Sequence, residues 1–376
     1  MKLCIISDLH CTEKKGNSSF FYSDIPDVPI NQNPISSILK KIGEDKSTHS
    51  DIVLCLGDLG DKAYKQGIKS AWEGLNRIKN EMNAEILIGI PGNHDVNSRK
   101  TYVGEKPFEY IENFSINFPT PDKESNLKFW QEGYCIYEFK DFEILMINTV
   151  LNHIDEASAG ISEISHRTLE AIEEELNSDE QKIKICILHH HPIKHSNIEN
   201  WRDADSLDRG DTLLTILNRY NYDLVIHGHK HQPRIVERDG LTIFASGSFS
   251  SFENLQGTGF KTMFHVVDIK SKSKGKIFSW EYNIQNGWEV ELNHRFPPEI
   301  GFGERVNLNT LAKKIKTTFD SFNSDAVLYE SVMLANPELD YMTPETLIKL
   351  GDLLNKQFNL VPQPEFPLKP AVLTSR

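Results

Sequence analysis

No run in the 376-residue sequence approaches the ~18 consecutive apolar residues of a membrane-crossing helix, so no membrane span is expected. The N-terminus offers one lysine and the short apolar run Leu3-Cys4-Ile5-Ile6 before Asp8, too little for a signal-peptide core, and the chain reads as cytoplasmic. Cysteine is scarce: there are five, an odd number, with no CxxC spacing, which argues against a disulfide framework. Cys4, Cys55 and Cys186 lie in apolar, strand-like runs and read as buried reduced thiols. Positive charge is also short, with 41 Lys and Arg against 54 Asp and Glu and a net charge of −13. That balance excludes wrapping nucleic acid by bulk electrostatics, though not a local basic groove. There is no internal repeat.

Several short β-branched runs each end in polar or ionisable residues. Lys2–Ser7 leads into Asp8-Leu9-His10, Ile52–Leu56 into Gly57-Asp58, and Ile86–Ile90 into Asn93-His94-Asp95. Ile183–Leu188 ends at His189-His190-His191, and Leu224–Ile226 at His227, His229 and His231. Bounded by Gly and Pro, these runs are strands. Helical spacing fills gaps between them, as at Ile68, Trp72, Leu75 and Ile78, at Leu169, Ile172 and Leu176, and at Leu213, Leu217 and Tyr220. The alternation predicts an α/β core. Strand pairs at 135–147 and across 233–291 suggest two sheets packed face to face with helices outside. Residues 97–133 read as a polar insertion with aromatics, a cap near the site. Residues 308–322, 326–335 and 343–358 carry helical spacing, and the prolines at 362, 364, 367 and 370 predict an extended tail.

Of fourteen histidines, six crowd into two short stretches. Asp8, His10, Asp58, Asn93, His190, His229 and His231 all stand at strand ends, where ligands collect in open α/β sheets. Separate strand ends that each deliver a carboxylate, an amide oxygen or an imidazole make a metal-site pattern. Without thiolates it suits Mn²⁺, Fe or Zn²⁺ better than a structural zinc. In an extended segment alternate side chains share a face, so Asp8 and His10, and likewise His229 and His231, are expected to point together. A carboxylate such as Asp58 can bridge two cations.

In order along the chain, Asp8-Leu9-His10, Gly57-Asp58-Leu59-Gly60-Asp61, Gly92-Asn93-His94-Asp95, His190-His191-Pro192 and Gly228-His229-Lys230-His231 resemble the motifs of the calcineurin-like metallophosphoesterase superfamily. The resemblance implies a four-layer α/β sandwich over residues 1–290, two mixed β-sheets flanked by helices, followed by a mainly helical extension at 291–376 outside it. It implies a first metal held by Asp8, His10, Asp58 and His231, and a second by Asp58, Asn93, His190 and His229. The family's ligand stands two residues before the proline, which selects His190; His189 and His191 would then face away by strand alternation, unless a bend at Pro192 disturbs it. His94 would serve as general acid, oriented by Asp61. Two divalent ions, Mn²⁺ foremost with Fe or Zn²⁺ as alternatives, would support in-line attack of a bridging hydroxide on a phosphorus ester.

The substrate this implies is a phosphodiester, a small or cyclic nucleotide, because the His-His-Pro form resembles the cyclic-nucleotide and glycerophosphodiester branches. A DNA-repair type of nuclease working with a partner ATPase is the alternative. A non-catalytic interaction scaffold is another, and residues 292–376 could recruit a protein partner in either case. The Ser/Thr phosphatase branch is disfavoured, because Lys62 follows Asp61 and Asp95 follows Asn93-His94. Singly, Asp95 reads as a turn cap and His227 as a packed strand residue, while Lys270, Lys272, Lys274 and Lys276 form a solvated hairpin. His153, His166, His195, His265 and His294 default to surface or core.

Overall fold

The structure is a computed structural model. It describes residues 1–16, 18–23, 28–178, 181–194, 206–253, 255–291, 293 and 295–375, so His195 and His294 lie outside the described residues. The elements begin with β1 (Lys2–Ile6), α1 (Pro34–Glu44), β2 (Ile52–Cys55), α2 (Lys65–Met82), β3 (Ile86–Gly89) and α3 (Lys123–Glu132). Next come β4 (Tyr134–Glu138), β5 (Phe142–Ile147), α4 (His166–Glu175), β6 (Ile183–Leu188), α5 (Gly210–Arg219), β7 (Leu224–His227), β8 (Arg234–Arg238) and β9 (Leu241–Ala245). A hairpin of β10 (Met263–Ser271) and β11 (Lys274–Asn283) follows, then β12 (Gly287–Glu289) and β13 (Glu299–Phe302). The chain closes with α6 (Leu308–Ser321), β14 (Ala326–Leu328), α7 (Tyr329–Ala335), α8 (Pro344–Phe358), β15 (Leu360–Gln363) and β16 (Val372–Ser375). It forms two compact units, one of Met1–Val267 with Trp280–Val290, the other of Asp268–Ser279 with Glu291–Arg376.

The first unit holds two mixed sheets. One runs β12-β11-β10-β1-β2-β3, with β1, β2 and β3 parallel; the other runs β4-β5-β6-β7-β9-β8, with β5, β6, β7 and β9 parallel. Strands β2 and β3 are continuous apolar runs, fully buried, as strands covered on both faces must be, and β7 is buried along its whole length. Helices α4 and α5 seal the second sheet through Leu169, Ile172, Leu213 and Leu217, which pack with Cys186 and Val225. Helix α1 escaped the sequence reading although its signals are local. Asn33 caps it by accepting from the Ser36 N–H, Pro34 opens it, and Ile35, Ile38 and Ile42 form its buried face. All five cysteines are buried free thiols. No helix among the described residues is long and apolar enough to cross a membrane.

His265, expected to be unremarkable, lies fully buried in β10, where its Nε2 accepts from the Gly247 N–H at 3.1 Å. That bond requires an unprotonated Nε2, and burial pushes the imidazole down to about 3. The unfolded chain takes up this proton near pH 6.5, so the stability it carries is whole above that pH and lost as pH falls toward 3. His265→Gln keeps an acceptor and should flatten the acid limb of a urea-unfolding series by up to about 1.4 kcal/mol per pH unit.

The second unit corrects the expectation of a mainly helical extension. Helices α6, α7 and α8 are present, but 326–328 is strand, and the sheet β14-β16-β15 is fully antiparallel. Leu311, Ile315, Val332, Leu350, Leu360 and Leu373 share one core. The proline-rich stretch is not an extended tail. It is the loop that returns the chain from β15 to β16, and Pro362 is tolerated because β15 lies at the sheet edge. Strand β13 pairs with Gly275–Phe278 at the hairpin tip. There the lysines are not simply solvated, since Lys274 pairs with Glu304 and Lys276 with both Glu299 and Asp340.

Candidate metal centre

The carboxyl ends of parallel strands from both sheets converge on one place. Asp8 and His10 follow β1, Asp58 and Asp61 follow β2, and Asn93 and His94 follow β3; His189 and His190 follow β6, and His229 and His231 follow β7. The pairs do point together, but not by strand alternation. Asp8, His10, Asp58, His229 and His231 all have left-handed backbones, with φ of 54°, 42°, 54°, 76° and 60°. Non-glycine residues hold such φ at about 1–3 kcal/mol each, and the conformation persists only where the surroundings enforce it. Glycines let the loops close. A Cβ on Gly92 would stand 2.2 Å from Asp58 Oδ1, and one on Gly228 would stand 2.1 Å from Ser7 Oγ.

Two donor clusters share one carboxylate. In the first, His10 Nε2 lies 3.1 Å from His231 Nε2 and 3.3 Å from Asp58 Oδ2, and His231 Nε2 lies 3.5 Å from Asp8 Oδ1. In the second, His189 Nε2 lies 3.4 Å from Asp58 Oδ2 and 3.1 Å from Asn93 Oδ1, and His229 Nδ1 lies 3.0 Å from the same amide oxygen. Asp58 Oδ2 belongs to both.

This corrects the reading of the triple histidine. His189 was expected to face away, yet it stands in the site beside His190, and the two share with His229 a triad whose ligand atoms lie within 4.8 Å of one another. Strand β6 ends at Leu188, so alternation no longer governs the residues beyond it. His190 keeps its Nδ1 2.8 Å from Thr149 Oγ1, and its ring lies 4.5 Å from that of His229 and 5.4 Å from that of His153. Thr149 and His153 are neighbours of the site that sequence reasoning missed. No spacing in the chain ties the β5–α4 loop to residues some forty positions later.

The donor set fits divalent cations. Carboxylate, amide and imidazole donors converge without a thiolate, and among the described residues four His/Asp triads of the site have ligand atoms within 4.8 Å of one another. The far nitrogens of these imidazoles are also tied down, as metal-ligating histidines require. His189 Nδ1 donates to the Leu56 carbonyl at 2.6 Å, His231 Nδ1 to the Glu253 carbonyl at 3.0 Å, and His10 Nδ1 stands 3.7 Å from Asp61 Oδ1.

Electrostatics agree. Burial alone would raise Asp8 and Asp58, but the histidines around them outweigh it, taking Asp8 down to about 2 and Asp58 well below the usual carboxylate range. Burial would lower His10 and His189, yet the carboxylates, Asp58 first, lift them to about 10 and about 9. Without metal, then, protons on these imidazoles balance buried carboxylates, a charge role that divalent cations can take over. His190 goes the other way: burial, then the neighbouring imidazoles, hold it well below its ordinary value.

His94 is part-exposed, with Nδ1 2.9 Å from Asp61 Oδ1, and its backbone N–H donates to Asp58 Oδ1 at 2.7 Å. Asp95 does more than cap a turn. Its two oxygens accept from the Gly60 and Gly92 N–H groups at 3.0 and 2.9 Å, joining the loops that follow β2 and β3. Burial, then the charge of Asp58, raise its carboxyl to about 7.

No curated protein matches the chain. Among solved structures, a dimetal phosphatase from Danio rerio is similar over 75% of this chain and 96% of its own, at 11% identity and a TM-score of 0.48. A purple acid phosphatase from yellow lupin (Lupinus luteus) seeds is similar over 76% of this chain and 52% of its own, at 14% identity and a TM-score of 0.49. The family model for calcineurin-like phosphoesterase matches residues 1–233, from before Asp8 to just past His231. The chain belongs to the calcineurin-like metallophosphoesterases.

Proposed function

We propose that this metallophosphoesterase is a phosphodiesterase acting on a small phosphodiester such as a nucleotide or cyclic nucleotide, with Mn²⁺ as the supporting ion. The observation that carries the reading is the sharing of Asp58 Oδ2 between two donor clusters, which suits a pair of cations. The first ion would be held by Asp8, His10, Asp58 and His231, the second by Asp58, Asn93, His189 and His229. When bound, such ions acidify water near neutral pH and neutralise charge that develops on phosphoryl oxygens.

The protein's own residues do the rest. Asp61 accepts from His94 Nδ1 and so aims Nε2 at the leaving oxygen, to which His94 delivers the proton. The charge around the site favours a diester. Apart from Lys62, whose Nζ lies 3.9 Å from Asp61 and is largely exposed, the ion-pair partners of Asp8, Asp58 and Asp61 among the described residues are all histidines. A diester brings one negative charge and a monoester close to two, and no arginine in this set meets the second.

The test is Mn²⁺-supported hydrolysis of bis-p-nitrophenyl phosphate against p-nitrophenyl phosphate, with metal-free controls. Preference for the diester supports the proposal, and preference for the monoester overturns it. His94→Ala should keep both ions while losing ~10²–10⁴-fold on diesters with poor leaving groups and far less on p-nitrophenyl esters, which depart without a proton. Equal losses on both would remove the acid role from His94.

A further inference from the structure

The second unit carries a half-open cavity of about 270 Å³ to which no part of the metal centre contributes. A single water needs only ~10–15 Å³, and ligand sites begin near ~300 Å³, so the space is of small-molecule size. Its walls are mostly apolar, including Met333 and Met342, whose flexible side chains adapt to a guest, together with Leu347 and Phe366. One polar group inside is unspent. Tyr329 is 5% exposed and lines the cavity, and its hydroxyl has no hydrogen-bond partner among the described residues. Burial, then the charge of Asp340, raise this phenol, so it stays protonated and able to donate.

The charges at the cavity balance. Glu299 and Asp340 both pair with Lys276, at 2.8 and 2.6 Å, and Lys369 adds an exposed cation at the wall. Two negative charges therefore meet two positive ones, and neither an anionic nor a cationic guest gains from the site. We propose that this cavity is a binding site for a small, uncharged, largely apolar molecule that presents one hydrogen-bond acceptor, such as a carbonyl oxygen, to Tyr329.

The test uses the full chain with its methionine methyl groups isotopically labelled, because two of its six methionines line the cavity and four do not. Acetophenone is the probe, with benzoate, 1-phenylethylamine and ethylbenzene as its anionic, cationic and acceptor-free counterparts. The expected result is a saturable shift of the Met333 and Met342 resonances alone, with acetophenone binding at least ~10-fold tighter than benzoate or the amine. Tyr329→Phe should weaken acetophenone ~5–10-fold and leave ethylbenzene unchanged, as loss of one hydrogen bond predicts. Leu347→Trp, which fills the space, should abolish both. Absence of a saturable shift, equal binding of the charged probes, or a Tyr329→Phe protein that binds acetophenone normally would each overturn the proposal.

Discussion

Asp58→Asn is expected to leave a folded protein that no longer holds two divalent ions and hydrolyses its substrate at least ~10³-fold more slowly, the upper range for losing one preorganised electrostatic group. The side chain is 2% exposed and has two separate duties. Oδ1 accepts the His94 N–H at 2.7 Å, a role the asparagine oxygen can keep, so the loop after β3 should stay in place. Oδ2 lies 3.3 Å from His10 Nε2 and 3.4 Å from His189 Nε2, and there the substitution places an uncharged NH₂ group that can only donate. Both donor clusters lose their common anion at once. Metal content per chain by mass spectrometry, measured beside diester turnover, checks the prediction. Two ions retained with near-native turnover would mean that Asp58 is no shared ligand.

His189→Ala and His190→Ala should separate just as sharply, although the residues are adjacent. His189 Nε2 stands between the Asp58 carboxylate and the Asn93 amide oxygen, while its Nδ1 is anchored on the Leu56 carbonyl. Truncation removes a donor from the second cluster, and the protein is expected to bind one ion tightly instead of two. His190 touches Thr149 and flanks His229, so its loss should weaken the second ion ~10–100-fold, the usual cost of an outer-layer partner, without changing the number bound at saturation. Competitive titration with a chelating dye reads both. If His190→Ala loses the ion and His189→Ala keeps it, the assignment reverts to the histidine two residues before Pro192.

Much of this site was legible along the chain. Asp8, His10, Asp58, Asn93, His229 and His231 each stand just past an apolar run, and strand ends of that kind are where an α/β sheet collects ligands. Local chemistry also marked helices, since apolar spacing acts within a few positions, as Ile68, Trp72 and Leu75 do for α2. Only the tertiary structure could show that His189 joins the centre beside His190. That depends on β6 ending at Leu188 and on the Leu56 carbonyl, which belongs to the other sheet and lies 133 positions away. It also decided that five of these residues hold left-handed backbones, a conformation uncommon even for Asp and His, which contacts between distant loops hold in place. The same reason explains the second unit. A strand as short as Val372–Ser375 carries too little periodicity to be read alone, and it exists because β14 and β15 lie on either side of it.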